Sequence, residues 1–201
     1  MAVTVAITGA SGGIYGLRLV EELLKGGGDV NLIISPSGFL ILDEELGLRL
    51  KGDSRKVLRG LKGYLKVSRG RLRYYTSGDL TSPLSSGSSL QLDMVICPCS
   101  MGTLARVAHG VSTNLIERTA DVVLKEKGRL ILVPRETPLN RIHLENMLKL
   151  SEMGAHIIPA MPAFYHKPKS VNDMVDFVVG KVLDALGIEN KLYKRWGGKE
   201  K

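Results

Sequence analysis

Short apolar runs alternate with segments of helical periodicity along most of the chain. The runs lack the polar–apolar alternation of a half-exposed strand and therefore predict buried β-strands. These predicted strands are 3–8, 30–34, 94–97, 129–133 and 155–158. The predicted helices are a segment that follows residue 13 and ends at Gly26, and then about 39–46, 101–109, 114–127, 139–153 and 171–186.

Buried strands that are separated by helices predict a parallel sheet with helices on both faces. At 201 residues the chain has the length of one domain with extensions. The expected fold is therefore a single Rossmann-like or flavodoxin-like three-layer α/β/α domain with a mostly parallel sheet.

A polar or glycine-rich loop follows each of these strands. The loops contain residues 9–12, 35, 97–103, 134–136 and 159–165. Because the carboxyl ends of parallel strands lie at one edge of the sheet, where such folds bind ligands, we expect the loops to converge on one site.

The glycine-rich turn at residues 8–13 joins a strand to a helix, and free backbone N–H groups there suit a phosphate. A tight turn without a ligand is the alternative. The turn is similar to that of short-chain dehydrogenases, but Tyr15 stands where that pattern has glycine. Tyr165 and Lys169 have the spacing of the dehydrogenase catalytic pair, which needs a helix. Pro168 lies between them and disfavours a helix, and hence a dehydrogenase.

A second strand end combines two cysteines with small hydroxyl residues. Cys97 and Cys99 are too close together for a comfortable disulfide and predict small buried thiols in a reducing, cytoplasmic compartment. The apolar strand at 3–8 also differs from a signal peptide. Ser100 is a good helix N-cap, and the helix start at 100–103 leaves N–H groups free for an anion.

Composition narrows the classes of function. Hydrophobic residues make up 44% and charged residues 24%, which excludes collagenous, disordered and membrane-spanning chains. The net charge of +8 comes mainly from an insertion-like stretch at 49–73, with ten basic residues and one acid, and from the tail at 191–201. Such charge permits nucleic acid, anionic membranes or small anions as partners. Few aromatic residues interleave with the basic ones, so nucleic-acid binding is disfavoured.

Several cations lie where they can meet a small anion. Arg118 and Lys125 are seven residues apart on one predicted helix and share a face. Arg135 follows a buried strand, and Lys181 lies on the last helix. Any one such cation is more often a solvated surface residue than a functional one, and Glu136 is equally consistent with an ion-pairing role. The histidines show no ligand spacing, so phosphate chemistry here is expected to use Arg and Lys rather than a metal.

Together, the motifs closely resemble the UbiX family of flavin prenyltransferases. They are TGASG at 8–12, YGLRL at 15–19, SSGS at 85–88, MVICPCS at 94–100, NLIER at 114–118, ADVVLKE at 120–126, VPRETPL at 133–139, HLENMLKL at 143–150, PAFYH at 162–166 and RWG at 195–197. The resemblance covers nearly the whole chain except the basic stretch.

The resemblance implies an enzyme that joins a dimethylallyl group from dimethylallyl phosphate to N5 and C6 of reduced FMN. The product, prenylated FMN, is the cofactor of UbiD-type decarboxylases. It also implies a metal-independent reaction, a homododecamer with active sites at subunit interfaces, and no nucleic-acid or membrane partner. The domain organisation becomes an FMN-binding α/β domain at 1–190 and a basic tail at 191–201 that contributes Trp196 to the site.

The same resemblance implies residue roles. The FMN-binding residues would be Gly9, Ala10, Ser11, Ser35, Ser100, Met101, Gly102, Thr103 and Arg135. The substrate phosphate would meet Arg118, Lys125, Arg135, Tyr165 and Lys181, with Lys125 from a neighbouring subunit. The catalytic set would be Ser11, Glu45, Glu136 and Trp196.

Two departures and two rival functions remain. Leu80 stands where some members of the family have tryptophan. Lys181 stands where others have arginine, and a lysine keeps the charge but cannot bind a phosphate in the bidentate way. An FMN-dependent decarboxylase of the phosphopantothenoylcysteine type is the main alternative, but that class uses an early histidine and the first here is His109. A direct aromatic acid decarboxylase would leave the phosphate-binding cations without a purpose.

Overall fold

Six parallel strands form one sheet at the centre of the computed structural model, which describes residues 2–88 and 93–197. The strands are β1 (Ala2–Ile7), β2 (Asp29–Ile34), β3 (Arg71–Thr76), β4 (Asp93–Cys99), β5 (Arg129–Pro134) and β6 (His156–Ile157). The helices are α1 (Gly13–Lys25), α2 (Pro36–Leu46), α3 (Ser54–Leu65), α4 (Met101–Ala108), α5 (Leu115–Lys125), α6 (Arg141–Glu152) and α7 (Val171–Ala185), with a short 3₁₀ turn at Pro83–Ser85.

The strand order β3-β2-β1-β4-β5-β6 confirms the expected fold class, and it is the Rossmann order rather than the flavodoxin one. Each strand pairing is parallel. One apolar core joins the sheet to α1, α3 and α7, and a second joins its other face to α4, α5 and α6. The strand order reverses between β1 and β4, so the loops after these two strands form the crevice in which such sheets bind ligands.

The basic stretch at 49–73 is not an insertion, and that expectation is wrong. It contains α3 and the first half of the edge strand β3. Val57, Leu61 and Leu65 are spaced four apart and bury one face of α3, and Asp53 caps the helix by accepting from the Lys56 N–H at 2.9 Å. The basic side chains point outward, so their number obscures an ordinary amphipathic helix.

The other boundaries differ little from those expected, with one informative exception. Helix α2 begins at Pro36, three residues before the expected start, because Ser35 caps it and proline suits the first helical position. Ser89 of the expected serine–glycine loop and residues 198–201 of the tail lie outside the described residues. Within the described ranges, no helix is both long and apolar enough to cross a membrane.

Candidate functional site

A buried threonine ties together the loops that follow β1 and β4. Thr8 donates from its N–H and its Oγ1 to the Pro98 carbonyl, at 3.2 and 2.8 Å. The same Oγ1 accepts from the Ser100 N–H at 2.8 Å. Because Ser100 is the N-cap of α4, these bonds fix the start of α4 against the end of β1.

The first turn of α4 opens into a cavity of about 320 Å³ at this crevice. Its walls include Gly9, Ser35, Pro36, Ser37, Ser100, Gly102, Thr103, Arg106, Asn114 and Ile116. Gly9 permits the close approach of α2, since a Cβ there would lie 2.4 Å from the Ser37 Cβ. Ser100 Oγ accepts from the Thr103 N–H at 3.3 Å, and the N–H groups of the two preceding helical residues have no intrahelical partner. The donors here are suited to a phosphate.

The start of α1 is chemically different, although the sequence makes it the more obvious phosphate site. The Glu45 carboxylate accepts from the Gly12 N–H at 2.9 Å and from the Gly13 N–H at 2.9 Å. Gly12 holds a φ of 103°, which favours glycine. Two amides expected to be free for a phosphate are therefore bound by a side chain of α2, and that part of the expectation is wrong.

Arg135 and Glu136 lie at the end of β5, beside a second cavity of about 460 Å³. The Arg135 Nε donates to the Ser11 carbonyl at 3.2 Å, which links this loop to the turn after β1. Glu136 is exposed and accepts from the Thr137 N–H at 3.1 Å. Within the described residues it forms no ion pair, so its carboxylate is not held by a neighbouring arginine there. Residues 159–161, after β6, complete this wall.

Tyr165, Lys181 and Trp196 meet in an aromatic cluster on α7. The Tyr165 ring lies 5.3 Å from the Trp196 ring and 5.9 Å from the Phe177 ring, both edge-to-face. Lys181 is exposed, and its Nζ lies 5.2 Å from the Tyr193 ring. Tyr165 is not helical, which agrees with the argument against a dehydrogenase pair.

Asp184 of α7 fastens the tail that carries Trp196. Its carboxylate accepts from Arg195 at 2.6 and 3.0 Å and from the Tyr193 hydroxyl at 2.6 Å. Burial by itself would raise the pKa of Asp184, but these bonds outweigh it and lower the pKa. Burial, and then the Asp184 acceptor, raise the pKa of Tyr193 to about 12. The tail is therefore docked by a charged group on the domain.

Arg118 and Lys125 do share one face of α5, as their spacing predicted. Arg118 donates to the Ser85 carbonyl at 3.0 Å, and Lys125 pairs with Glu126 at 2.7 Å. Asn114, at the start of the helix, lines the α4 cavity, so the far end carries Lys125 roughly 15 Å away. One chain thus does not bring Lys125 to the site.

The remaining expected residues are buried or carry no ligand chemistry. Ala10 and Met101 are buried, so only their backbone atoms are available to a ligand. Cys97 and Cys99 are free, buried thiols, as expected, and burial raises the pKa of Cys99 to about 12. In residues 2–88 and 93–197, no group of three or more His, Cys, Asp or Glu side chains is arranged to hold a metal ion.

Sequence reasoning missed Arg106, which lines the α4 cavity, and its partner Glu117. Arg106 pairs through Nε with the Glu117 carboxylate, whose side chain is fully buried. Arg106 and Glu117 are 11 positions apart in the sequence and lie on different helices, so no local spacing in the sequence predicts the pair. The buried glutamate in an otherwise apolar helix face was the available signal, because a buried carboxylate requires a partner.

Comparisons with known proteins show which chains this one is similar to. A family model described as Flavoprotein matches residues 1–183. A relative from Halalkalibacterium halodurans named flavin prenyltransferase UbiX is 54% identical over 194 residues, covering 96% of this chain and 92% of its own length.

Solved structures extend the comparison to the fold. AnUbiX (PadA1) in complex with FMN and dimethylallyl pyrophosphate has a TM-score of 0.86 at 37% identity, covering 99% of this chain and 98% of its own. A dodecameric FMN-dependent UbiX-like decarboxylase from Escherichia coli O157:H7 has a TM-score of 0.86 at 38% identity, covering 98% and 100%. A PPC decarboxylase mutant matches at 20% identity with a TM-score of 0.55, which shows a shared fold alone.

Proposed function

Since the chain belongs to the flavoprotein family and, within it, to the UbiX flavin prenyltransferases, we propose that it transfers a dimethylallyl group from dimethylallyl phosphate to reduced FMN. The single observation that carries this is 54% identity to a named flavin prenyltransferase over nearly the full length of both chains. When bound, reduced FMN supplies the N5 and C6 atoms that are alkylated. The enzyme is a transferase, and its product serves UbiD-type decarboxylases.

The α4 cavity fits the phosphate of FMN. Backbone N–H groups at the start of α4, the Ser100 and Thr103 hydroxyls and the positive end of the helix dipole converge there. The turn after β1 and Arg135 border the space beyond it, where they contact one another through Ser11. We assign FMN binding to the expected set, with Ala10 and Met101 acting through their backbone.

A second anion site is needed for the substrate phosphate. When the allylic C–O bond breaks, negative charge develops on the phosphate and positive character on the allyl group. Arg135, Lys181 and the Tyr165 hydroxyl are the donors assigned to the phosphate. The aromatic face of Trp196 is assigned to the developing cation, supported by its contact with Tyr165.

Glu136 is the carboxylate assigned to proton transfer during ring closure. It is exposed beside the second cavity and, among the described residues, makes no ion pair that would hold its charge elsewhere. It is therefore available to accept and return a proton. Glu45 and Ser11 are assigned supporting roles in proton handling, with Glu45 held at the Gly12 and Gly13 amides.

Arg118 and Lys125 are assigned to the substrate phosphate, with Lys125 entering the site of a neighbouring subunit in a homododecamer. The support is the distance of Lys125 from the α4 cavity of its own chain and the dodecameric state named for the 38%-identical structure. The 191–197 part of the tail belongs to the active site through Trp196. We also propose a reducing, cytoplasmic location, supported by the two free cysteines.

Product analysis tests the activity directly. The protein is incubated with reduced FMN and dimethylallyl phosphate, with and without EDTA, and the extracted flavin is analysed by mass spectrometry. Prenylated FMN in both reactions is expected. Unmodified FMN as the sole flavin would overturn the proposal, and product only without EDTA would overturn metal independence.

Glu136→Gln tests the assigned proton transfer. We expect product formation to slow by about 10²–10⁴-fold while FMN affinity stays unchanged. Glu152→Gln, an exposed glutamate at the end of α6, is the matched control and should behave as wild type. Loss of FMN from Glu136→Gln would instead make this residue structural.

Subunit mixing tests the assignment of Lys125. Lys125→Ala and Glu136→Gln each inactivate a different half of the composite site, so mixed oligomers recover some intact sites. Reassembly of the two inactive variants should restore part of the activity. No recovery in mixed oligomers of confirmed composition would place Lys125 outside the partner's site.

A further inference from the structure

Among the described residues that line the α4 cavity, Arg106 is the one that carries a charge. The other lining groups are hydroxyls, backbone amides, an asparagine and apolar atoms. Neutral donors can orient a phosphate, but a cation gives stronger, charge-assisted hydrogen bonds to it. The position of the Arg106 guanidinium therefore decides how tightly this cavity holds a doubly charged group.

The buried Glu117 carboxylate holds the Arg106 guanidinium in position through an ion pair. One carboxylate oxygen of Glu117 accepts from Arg106 Nε, and the other accepts from the Thr113 N–H at 2.8 Å and the Thr113 hydroxyl at 2.6 Å. Burial alone would raise the pKa of Glu117, but the bonds from Thr113 and Arg106 outweigh it and lower the pKa. Glu117 is thus a charged, fully bonded anchor.

Glu117 binds only the Nε of the Arg106 guanidinium and leaves its two terminal nitrogens available to other partners. One terminal nitrogen of Arg106 lies 3.4 Å from Thr103 Oγ1, and the other lies 3.4 Å from the point that a Cβ on Gly102 would occupy. Both nitrogens therefore lie at the first turn of α4, beside its unbonded amides. An arginine in this arrangement presents two donors to a phosphate oxygen without losing its carboxylate.

We propose that Arg106 binds the phosphate of FMN and makes the site discriminate FMN from riboflavin. This inference rests on the proposed function, because it takes the α4 cavity as the FMN phosphate site. It assigns Glu117 as a positioning residue that acts only through Arg106.

Binding of the two flavins separates this role from a structural one. Dissociation constants for FMN and riboflavin are measured for the full chain and for Arg106→Gln, with Arg59→Gln as the matched control. Arg59 is an exposed cation on α3, and its loss changes the net charge equally. Arg106→Gln should weaken FMN about tenfold to a hundredfold and riboflavin less than about threefold. Arg59→Gln should change neither.

The ³¹P NMR titration of bound FMN gives a readout that misfolding does not imitate. A nearby guanidinium favours the dianion, so the phosphate pKa should be lower in the wild type than in Arg106→Gln. Arg106→Lys keeps the positive charge but lacks the paired donors of the guanidinium. Compared with Arg106→Gln, it should bring the phosphate pKa closer to the wild-type value than the FMN affinity.

The outcomes also separate this inference from the proposed function. Unchanged FMN affinity and phosphate pKa in Arg106→Gln, or equal weakening of both flavins, would overturn the role of Arg106 while leaving prenylation intact. A wild-type chain that makes no prenylated FMN would overturn the function itself. FMN weakened selectively, with a raised phosphate pKa, supports the assignment.

Discussion

Helices α1 and α4 begin side by side at the crevice between β1 and β4, yet their first turns are in opposite chemical states. At α1 the Gly12 and Gly13 amides are already bound to the Glu45 carboxylate. At α4 the first amides face a cavity that the Arg106 side chain of the same helix also lines. A glycine-rich turn is therefore a phosphate site only if no carboxylate of the same chain reaches it first.

Gly102→Asp should make the start of α4 resemble that of α1, with its amides bound by a carboxylate. Of the changes considered, we expect it to have the largest effect on FMN affinity. It places a carboxylate at the start of α4, next to Arg106, as Glu45 does at α1. FMN affinity should fall by more than about a hundredfold because the carboxylate takes the phosphate's donors and repels it. Thermal stability should hold or rise, since an acidic residue suits a helix start.

Gly102→Asn is the control for this substitution. It adds nearly the same volume without the charge, so its FMN affinity should lie between those of the wild type and Gly102→Asp. Equal losses in the two variants, measured by titration, would mean that the space at Gly102 matters rather than the charge.

Thr8→Val tests whether the Thr8 hydrogen bonds are needed to position the first turn of α4 for phosphate binding. The variant removes the Oγ1 bonds to Pro98 and Ser100 and leaves the buried end of β1 without them. We expect a loss of about 1–3 kcal/mol, visible as a fall in melting temperature of about 2–4 °C per kcal/mol. FMN affinity should fall with it.

Thr4→Val is a matched variant nearby, since Thr4 lies in β1 and Thr8 directly follows that strand. Thr4 is as buried as Thr8, but its Oγ1 has no hydrogen-bond partner among the described residues. Its replacement should leave the melting temperature unchanged or raise it, because no bond is lost. A fall as large as that of Thr8→Val would show that any polar-to-apolar change on β1 is harmful, and that the Thr8 bonds are not special.

Glu45→Ala opens the other helix start and should have a smaller effect on stability. Loss of a group that caps helix amides costs about 0.5–2 kcal/mol. FMN affinity should stay within about threefold of wild type, because the proposed site of its phosphate is at α4. A large drop in FMN affinity would show instead that the α1 turn holds the phosphate once Glu45 moves away.

The smallest expected effect is a pH dependence from Glu117. Its pKa is lower in the folded chain than the ordinary value of 4.5, so its charge stabilises the fold above that pH. This contribution is lost as the pH falls through the lowered pKa. Wild type should therefore exceed Glu117→Gln by about 1 kcal/mol at neutral pH, discounted because Arg106 is partly exposed.

Melting temperatures of the two proteins should converge on acidification below about pH 4.5, where the unfolded carboxyl begins to bind protons. A gap that persists unchanged to lower pH would mean that the Glu117–Arg106 charge pair contributes nothing. Such a result would also weaken the case for Glu117 as the anchor of Arg106.

The fold was largely predictable because apolar periodicity reports burial directly. All strands but β3 appear as apolar runs, whereas β3 alternates arginines with Leu72 and is mostly only partly buried. Helix α3 was not predicted, because the cations around Val57, Leu61 and Leu65 outnumber these three buried positions and obscure their spacing.

Only those site residues that directly follow a strand could be predicted from the sequence. Gly9, Ser35 and Ser100 follow strands, and the parallel sheet brings them to one cavity. The Glu45 carboxylate on the α1 amides and the Arg106–Glu117 pair depend on how helices turn and pack. Those contacts join residues 33 and 11 positions apart, and no local pattern encodes them.

The two ends of the sheet have a consequence for how copies of the chain behave at high concentration. An open strand edge invites another copy to add its own strand, which begins uncontrolled aggregation. Here β6 has only two residues, and β3 carries Arg71 and Arg73, so one edge offers too few bonds and the other repels its like. Arg71 and Arg73 thus disfavour the pairing of two such edges, and this effect requires no ligand.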